Sequence, residues 1–206
     1  MEKPSKREQT RARILEGAGR SFRTHGYGAG VDGVARAAGV TSGAFYAYFN
    51  SKAEAFRETV VVGLKDLELA VRQLRAADES TWVERFVNFY LGEKRTCELP
   101  ESCALQSLTT EVARADVETR QAYEAELRAV VRATAEGMDA PTATARRRQA
   151  IVMLALVSGG VSLARAVNDP AFSLEIANAI RSSLLEPAPR EPTRPSATKT
   201  VRARRK

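Results

Sequence analysis

Apolar residues return every three or four positions through most of this sequence, which predicts an all-α chain of amphipathic helices. Ile14, Leu15, Ala18 and Phe22 make the first stripe, a helix over about 6–25 that stops at Gly26, with Tyr27 folding back onto the core. Val31, Val34, Ala35 and Ala38 mark a second, shorter helix. Ser51, followed three residues later by Glu54, has the form of a capping box and opens a long helix over 52–75. Its apolar face is Phe56, Val60, Leu64, Leu67 and Val71. Trp82, Phe86, Phe89 and Tyr90 predict a helix over 81–96, and after a loop at Leu99-Pro100-Glu101-Ser102 two more follow, over 103–114 and 117–136. The last two are expected over 144–168 and 173–186, separated by Pro170. The first of this pair is apolar nearly all round, through Ile151, Leu154, Val157 and Val161 with small residues between them. That is an unusual amount of apolar helix surface to cover, and a second copy of the chain is one way to cover it.

Between the second stripe and Ser51 lies the part that suggests a function. Gly39 provides a sharp turn, Val40 a small apolar plug, and Thr41 an N-cap for a short helix over 42–48. Helix, glycine-containing turn and short helix make a helix-turn-helix, whose second helix enters the DNA major groove. Three parts follow. Residues 1–50 form an arm and a three-helix DNA-binding domain, 51–186 a larger helical body, and 187–206 a proline-rich, basic, disordered tail. Residues 1–5 are also expected to be disordered.

The run Gly39-Val40-Thr41-Ser42-Gly43-Ala44-Phe45-Tyr46, then Tyr48-Phe49 and Ser51-Lys52, closely resembles the signature of TetR-like transcriptional repressors. Ile14-Leu15, Phe22, Gly26-Tyr27 and Val34-Ala35 fall where that family places apolar anchors, so the resemblance covers roughly the first 57 residues. Gly17 and Gly19 depart from it, standing inside the first helix where alanines are more usual, each at a cost of about 1 kcal/mol in helix propensity. The resemblance implies a homodimer joined through the last two helices, a palindromic double-stranded DNA operator and a small-molecule effector bound in the body, which makes 51–186 a helical ligand-binding and dimerisation domain. It also implies that the basic residues opening the first helix, Lys3, Lys6, Arg7, Arg11 and Arg13, lie near the DNA backbone. Ser102-Cys103-Ala104-Leu105 with Leu108 and Glu111-Val112 is similar to a branch in which a cysteine at this place responds to oxidants or electrophiles.

Charge fits this division. Residues 1–57 carry 10 Lys/Arg against 5 Asp/Glu, 58–186 carry 15 against 19, and 187–206 carry 7 against 1. Basic ends around a mildly acidic body suit a polyanionic partner for the ends. Two cysteines, Cys97 and Cys103, make no disulfide framework, and no apolar leader opens the chain. The longest continuous apolar stretch, at 151–157, is far short of a span, so a cytoplasmic protein without membrane contact is expected. A single histidine, His25, no paired metal-ligand spacing and no glycine-rich phosphate loop point away from an enzyme, and neither cofactor nor metal is expected. A helical architectural or adaptor protein, binding DNA without sequence preference, is the competing reading.

On the recognition helix, Thr41 and Ser42 offer hydroxyls and amides to phosphate or base edges. Gly43 and Ala44 allow close approach, and the Ala44 methyl suits a thymine methyl. Tyr46 and Tyr48 offer phenols to phosphate, Lys52 an ammonium beside a helix start, while Phe45 and Phe49 face the core. For each, plain packing or exposure is the alternative. In the body Trp82, Phe86, Phe89, Tyr90, Cys103, Leu105, Leu108, Val112, Tyr123, Leu127, Val131 and Met153 are candidates to line an effector cavity, with ordinary core as the alternative. Cys103, at a helix start, is a candidate for a lowered thiol pKa, and Cys97 a candidate to resolve it as a disulfide.

Overall fold

The computed structural model describes residues 5–186, and every regular element among them is helical. The expectations for Lys3, the first four residues and the 187–206 tail lie outside the described residues. Ser5 is not part of a disordered arm. It caps the first helix, α1 (Lys6–His25), in a complete capping box with Glu8.

Three helices build the N-terminal domain: α1, α2 (Val31–Ala37) and α3 (Ser42–Tyr46). Ile14, Ala18 and Phe22 of α1 meet Val34 and Ala35 of α2 and Phe45 of α3 in a fully buried core. Gly39, at φ 69°, makes the turn that reverses the chain between α2 and α3. Gly17 explains a departure from the family pattern. A Cβ there would come within 2.4 Å of the Ala38 Cα and 2.9 Å of the Ala37 carbonyl, so the missing side chain is what lets α2 press against α1.

The long helix α4 (Lys52–Ala77) runs from this domain into the body. Its Ser51 cap accepts from the Glu54 amide as expected, but the Glu54 carboxylate reaches back to Asn50, N–H and side chain alike, one residue before the capping residue. Two predicted helices are broken. That over 81–96 becomes α5 (Trp82–Leu91) and α6 (Glu93–Thr96), because Gly92, at φ −94° and ψ −89°, leaves the helical region. That over 103–114 becomes α7 (Ala104–Ser107) and α8 (Thr109–Val112), pivoting at Leu108 after a 3-10 turn, Leu99–Glu101. The helix α9 (Val117–Glu136) has the predicted bounds.

α10 (Ala143–Ala166) and α11 (Pro170–Leu185) complete the body. Pro170 does not separate them; it is the first residue of α11, where its lack of an N–H costs nothing. By length and composition α10 could cross a membrane, as the short continuous stretch at 151–157 did not suggest, but here it packs against α5, α9 and α11. Ala150, Met153, Leu154, Val157 and Val161 bury one side of it, while Ile151, Val152 and Leu163 stay exposed, as do Phe172 and Leu174 of α11.

Gly17→Ala is expected to destabilise the protein, since overpacking at the α1–α2 contact costs about 1–3 kcal/mol and outweighs the helix-propensity gain. Urea unfolding checks this, and a variant as stable as the parent would show that the contact yields.

Candidate nucleic-acid interface and effector cavities

The recognition helix is shorter than predicted. It ends at Tyr46, because the amides of Ala47 and Tyr48 turn back to carbonyls three residues earlier and tighten the last turn. Thr41 is the predicted cap. Its oxygen accepts from the Ala44 amide at 3.1 Å, which leaves its own O–H proton free for a phosphate. Phe45 and Phe49 are buried with ring centroids 5.3 Å apart, and they pin the helix to the core. Thr41, Gly43 and Tyr46 face outward, and Tyr46 is 51% exposed with its ring set edge-on to Phe45. Ala44 and Ser42 are half-buried, and the Ser42 hydroxyl is already donated to the Asp32 carboxylate. Tyr48 lies beyond the helix end, half-buried under Arg7, whose guanidinium carbon is 5.7 Å from the ring centre.

The basic residues expected to seek phosphate are partly committed elsewhere. Lys52 turns inward. Its ammonium donates to the Tyr27 carbonyl at 2.8 Å and the Ala29 carbonyl at 3.1 Å, and sits 4.3 Å from the centre of the Tyr27 ring. It is first a latch between α4 and the α1–α2 loop, with one donor left over. Arg11 pairs with Glu58 and lies over the Phe49 ring, and Glu58 holds its guanidinium pKa above the ordinary value. His25 accompanies the helix end, its Nδ1 3.2 Å from the Ser21 carbonyl.

The predicted effector residues divide among three cavities and the core. A cleft of about 450 Å³ between α9 and α10 takes Leu105, Tyr123, Leu127 and Val131. A pocket of about 300 Å³ takes Phe86, Phe89, Tyr90 and Cys103. Trp82, Leu108 and Val112 line neither, being closed into the core, and the Trp82 indole donates to the Gly137 carbonyl at 3.0 Å; Met153, though buried, lines a third cavity with Val83, Val152 and Leu184. Sequence periodicity missed Arg147, Ile151 and Ala155 of α10 in the cleft, and Arg23 and Asp66 in the pocket. Arg23 belongs to α1, so the pocket lies where that helix meets α4, α5 and the segment after the 3-10 turn. No one-dimensional signal carries that.

Cys103 is not activated by its helix start. It caps a four-residue helix, and burial pushes its thiol above the ordinary range despite the nearby Tyr90 hydroxyl and the Leu105 and Gln106 amides. Both cysteines are free thiols, and the Cys97 sulfur lies against the Lys94 carbonyl and the Arg165 guanidinium. Among the described residues no group of three or more His, Cys, Asp or Glu is arranged to hold a metal.

The sequence model described as "Bacterial regulatory proteins, tetR family" matches residues 14–59. No curated protein matches the sequence significantly. Among solved structures, the chain is similar to E. coli NemR in its reduced form, at 19% identity and a TM-score of 0.69, covering 85% of this chain and 95% of that one. It is also similar to a TetR-family transcriptional regulator from Agrobacterium tumefaciens, at 17% identity, a TM-score of 0.70 and coverage of 86% and 98%. A TetR regulator from Legionella pneumophila compares at 15% identity, a TM-score of 0.70 and coverage of 89% and 99%. At these identities the likeness is one of fold.

Lys52→Met is expected to cost about 1–3 kcal/mol of stability, the worth of charge-assisted hydrogen bonds to two carbonyls. Thermal unfolding reads this, and an unchanged midpoint would return Lys52 to the surface. A raised thiol pKa means less thiolate at neutral pH. Alkylation of Cys103 by iodoacetamide should therefore keep accelerating above the pH where a peptide thiol levels off; a plateau at or below that pH contradicts the assignment.

Proposed function

We propose, for a chain whose residues 14–59 match the tetR-family model, the role of a DNA-binding homodimeric repressor of transcription. It leaves a palindromic operator when a small molecule enters its helical body. Bacterial members of such a family work in the cytoplasm, and that is the setting proposed here.

The observation that carries the dimer is the apolar surface left on the last two helices. Leu163 is 61% exposed, and Ile151, Val152, Phe172 and Leu174 each remain nearly half-exposed beside it in the same helix pair. A second copy presenting the same face would remove these side chains from water and close the assembly with two-fold symmetry. The two copies of α3 would then meet half-sites about 34–36 Å apart or a multiple of that.

The geometry of α3 supports reading by shape and close approach. Its outward face offers hydroxyls, a glycine and small apolar groups, with no guanidinium to read guanine. Release needs only that the effector favour a state in which the paired helices are wrongly spaced, and a few kcal/mol of differential binding is enough. The α4 helix, belonging to both domains, supports such a transfer.

Sedimentation of the full chain should give a particle of twice the 22.5 kDa chain mass. Leu163→Asp should give monomers and lower affinity for a genomically selected DNA fragment by at least about tenfold, with helicity unchanged. A parent that sediments as a monomer, or a Leu163→Asp variant that remains dimeric and binds as before, would refute the arrangement.

A further inference from the structure

We propose that the pocket at the junction of the two domains, rather than the larger cleft, is the effector site. Its ligand is an uncharged aromatic molecule carrying a hydrogen-bond-accepting oxygen for Tyr90. This rests on the ligand-responsive regulator proposed above and names the site and the chemical class.

The first observation is a donor without a strong acceptor. Tyr90 is 1% exposed, and its hydroxyl makes no hydrogen bond of ordinary geometry; what it meets on the chain is the Cys103 sulfur, a weak acceptor. Buried phenols ordinarily find an oxygen or nitrogen partner, and a thiol is a poor substitute, so a better acceptor would be favoured here. The hydroxyl belongs to a residue that lines the pocket.

The second is the character of the walls. Phe86 and Tyr90 stand with ring centroids 5.3 Å apart, Phe89 is 39% exposed on the same helix, and Leu67 and Ala70 of α4 also line the pocket. An aromatic ring is the shape and polarity that such a slot accepts.

The third is charge balance. Arg23 and Lys94 line the pocket with Asp66 and Glu101, two cations against two carboxylates. The cations are also engaged, Arg23 Nε donating to the Pro100 carbonyl at 2.6 Å and Lys94 to the Glu101 carbonyl at 2.8 Å. An ionised ligand would meet as much repulsion as attraction and would lose its hydration.

The larger cleft makes a weaker claim. The polar pair there, Thr109 and Tyr123, is satisfied internally at 2.9 Å, and the Glu124–Arg128 pair is likewise made on the chain itself. Nor does the cleft touch the DNA-binding domain, whereas the pocket does. Its wall segment Glu101-Ser102-Cys103 is tied to α1 by the Arg20–Glu101 ion pair and the Arg23–Pro100 bond. A ligand that displaces this segment pulls directly on the helix supporting the recognition domain.

The test uses the full chain and three one-ring probes in calorimetric titrations: acetophenone, ethylbenzene without the acceptor, and benzoate with a charge. Acetophenone should bind about tenfold more tightly than either of the others. Tyr90→Phe should erase its advantage over ethylbenzene without lowering the melting temperature, since the lost hydroxyl had only the weakly accepting Cys103 sulfur beside it. Ala70→Trp, which fills the pocket, should abolish binding, and Ala155→Trp, in the cleft, should leave it intact. Loss of binding only in Ala155→Trp, a preference that survives Tyr90→Phe, a lower melting temperature for Tyr90→Phe, or no preference for acetophenone would each overturn the inference. DNA binding is measured alongside. If it persists while acetophenone shows no preference, this inference alone fails; if the parent binds no DNA, the regulator reading fails instead.

Discussion

A helix of five residues cannot hold itself together in water, and the DNA reading proposed for this protein depends on how that is overcome. The α3 helix exists because Phe45 and Phe49 are sunk into a core supplied by α1 and α2, and because Thr41 answers one of its free amides. The cost of fixing α3 is thus met by neighbours, and the contact allowed by Gly17 is part of that support. Positive charge is drawn into the same task. Lys52 latches the α1–α2 loop, Arg11 lies on Phe49, and Arg7 lies on Tyr48. What remains facing outward is Thr41, Gly43 and Tyr46, a surface of hydroxyls and small groups suited to close approach.

The same economy links the domain to the body in two places. One is α4, which is continuous from Lys52 to Ala77 and packs along both α1 and α9. The other is the 3-10 turn Leu99–Glu101, which lies against α1 through Arg20 and Arg23. Two attachments to one rigid helix make the domain's orientation sensitive to small displacements between them. The pocket lined by Tyr90, whose hydroxyl lacks a strong acceptor, lies between these attachments.

Much of this was legible in the sequence, and the failures have common causes. The bounds of α1 and α9 follow from apolar stripes and strong stops, and the Thr41 and Ser51 caps from local hydroxyl chemistry. Periodicity ran straight through Gly92 and Leu108, because a break of one residue leaves the apolar spacing on either side intact. The inward bonds of Lys52 were not legible, because its partners, the carbonyls of Tyr27 and Ala29, are backbone atoms that a sequence pattern does not display. Trp82, Leu108 and Val112 look no different in sequence from Phe86 and Tyr90; only packing decides which side chains close a core and which face a void. Cys103 shows the limit of arguing from position. A helix start favours a thiolate, but the start belongs to a four-residue helix, and burial outweighs it.

The central claim is that α3 enters the major groove twice, once from each copy of a symmetric pair. Hydroxyl-radical footprinting on fragments that the full chain selects from its own genome tests this most directly. The account predicts two protected patches related by a palindrome, their centres one helical turn or a whole number of turns apart, and both lost when Tyr46 and Thr41 are replaced by alanine. A single patch, protection without symmetry, or fragments no better bound than random duplex would contradict it.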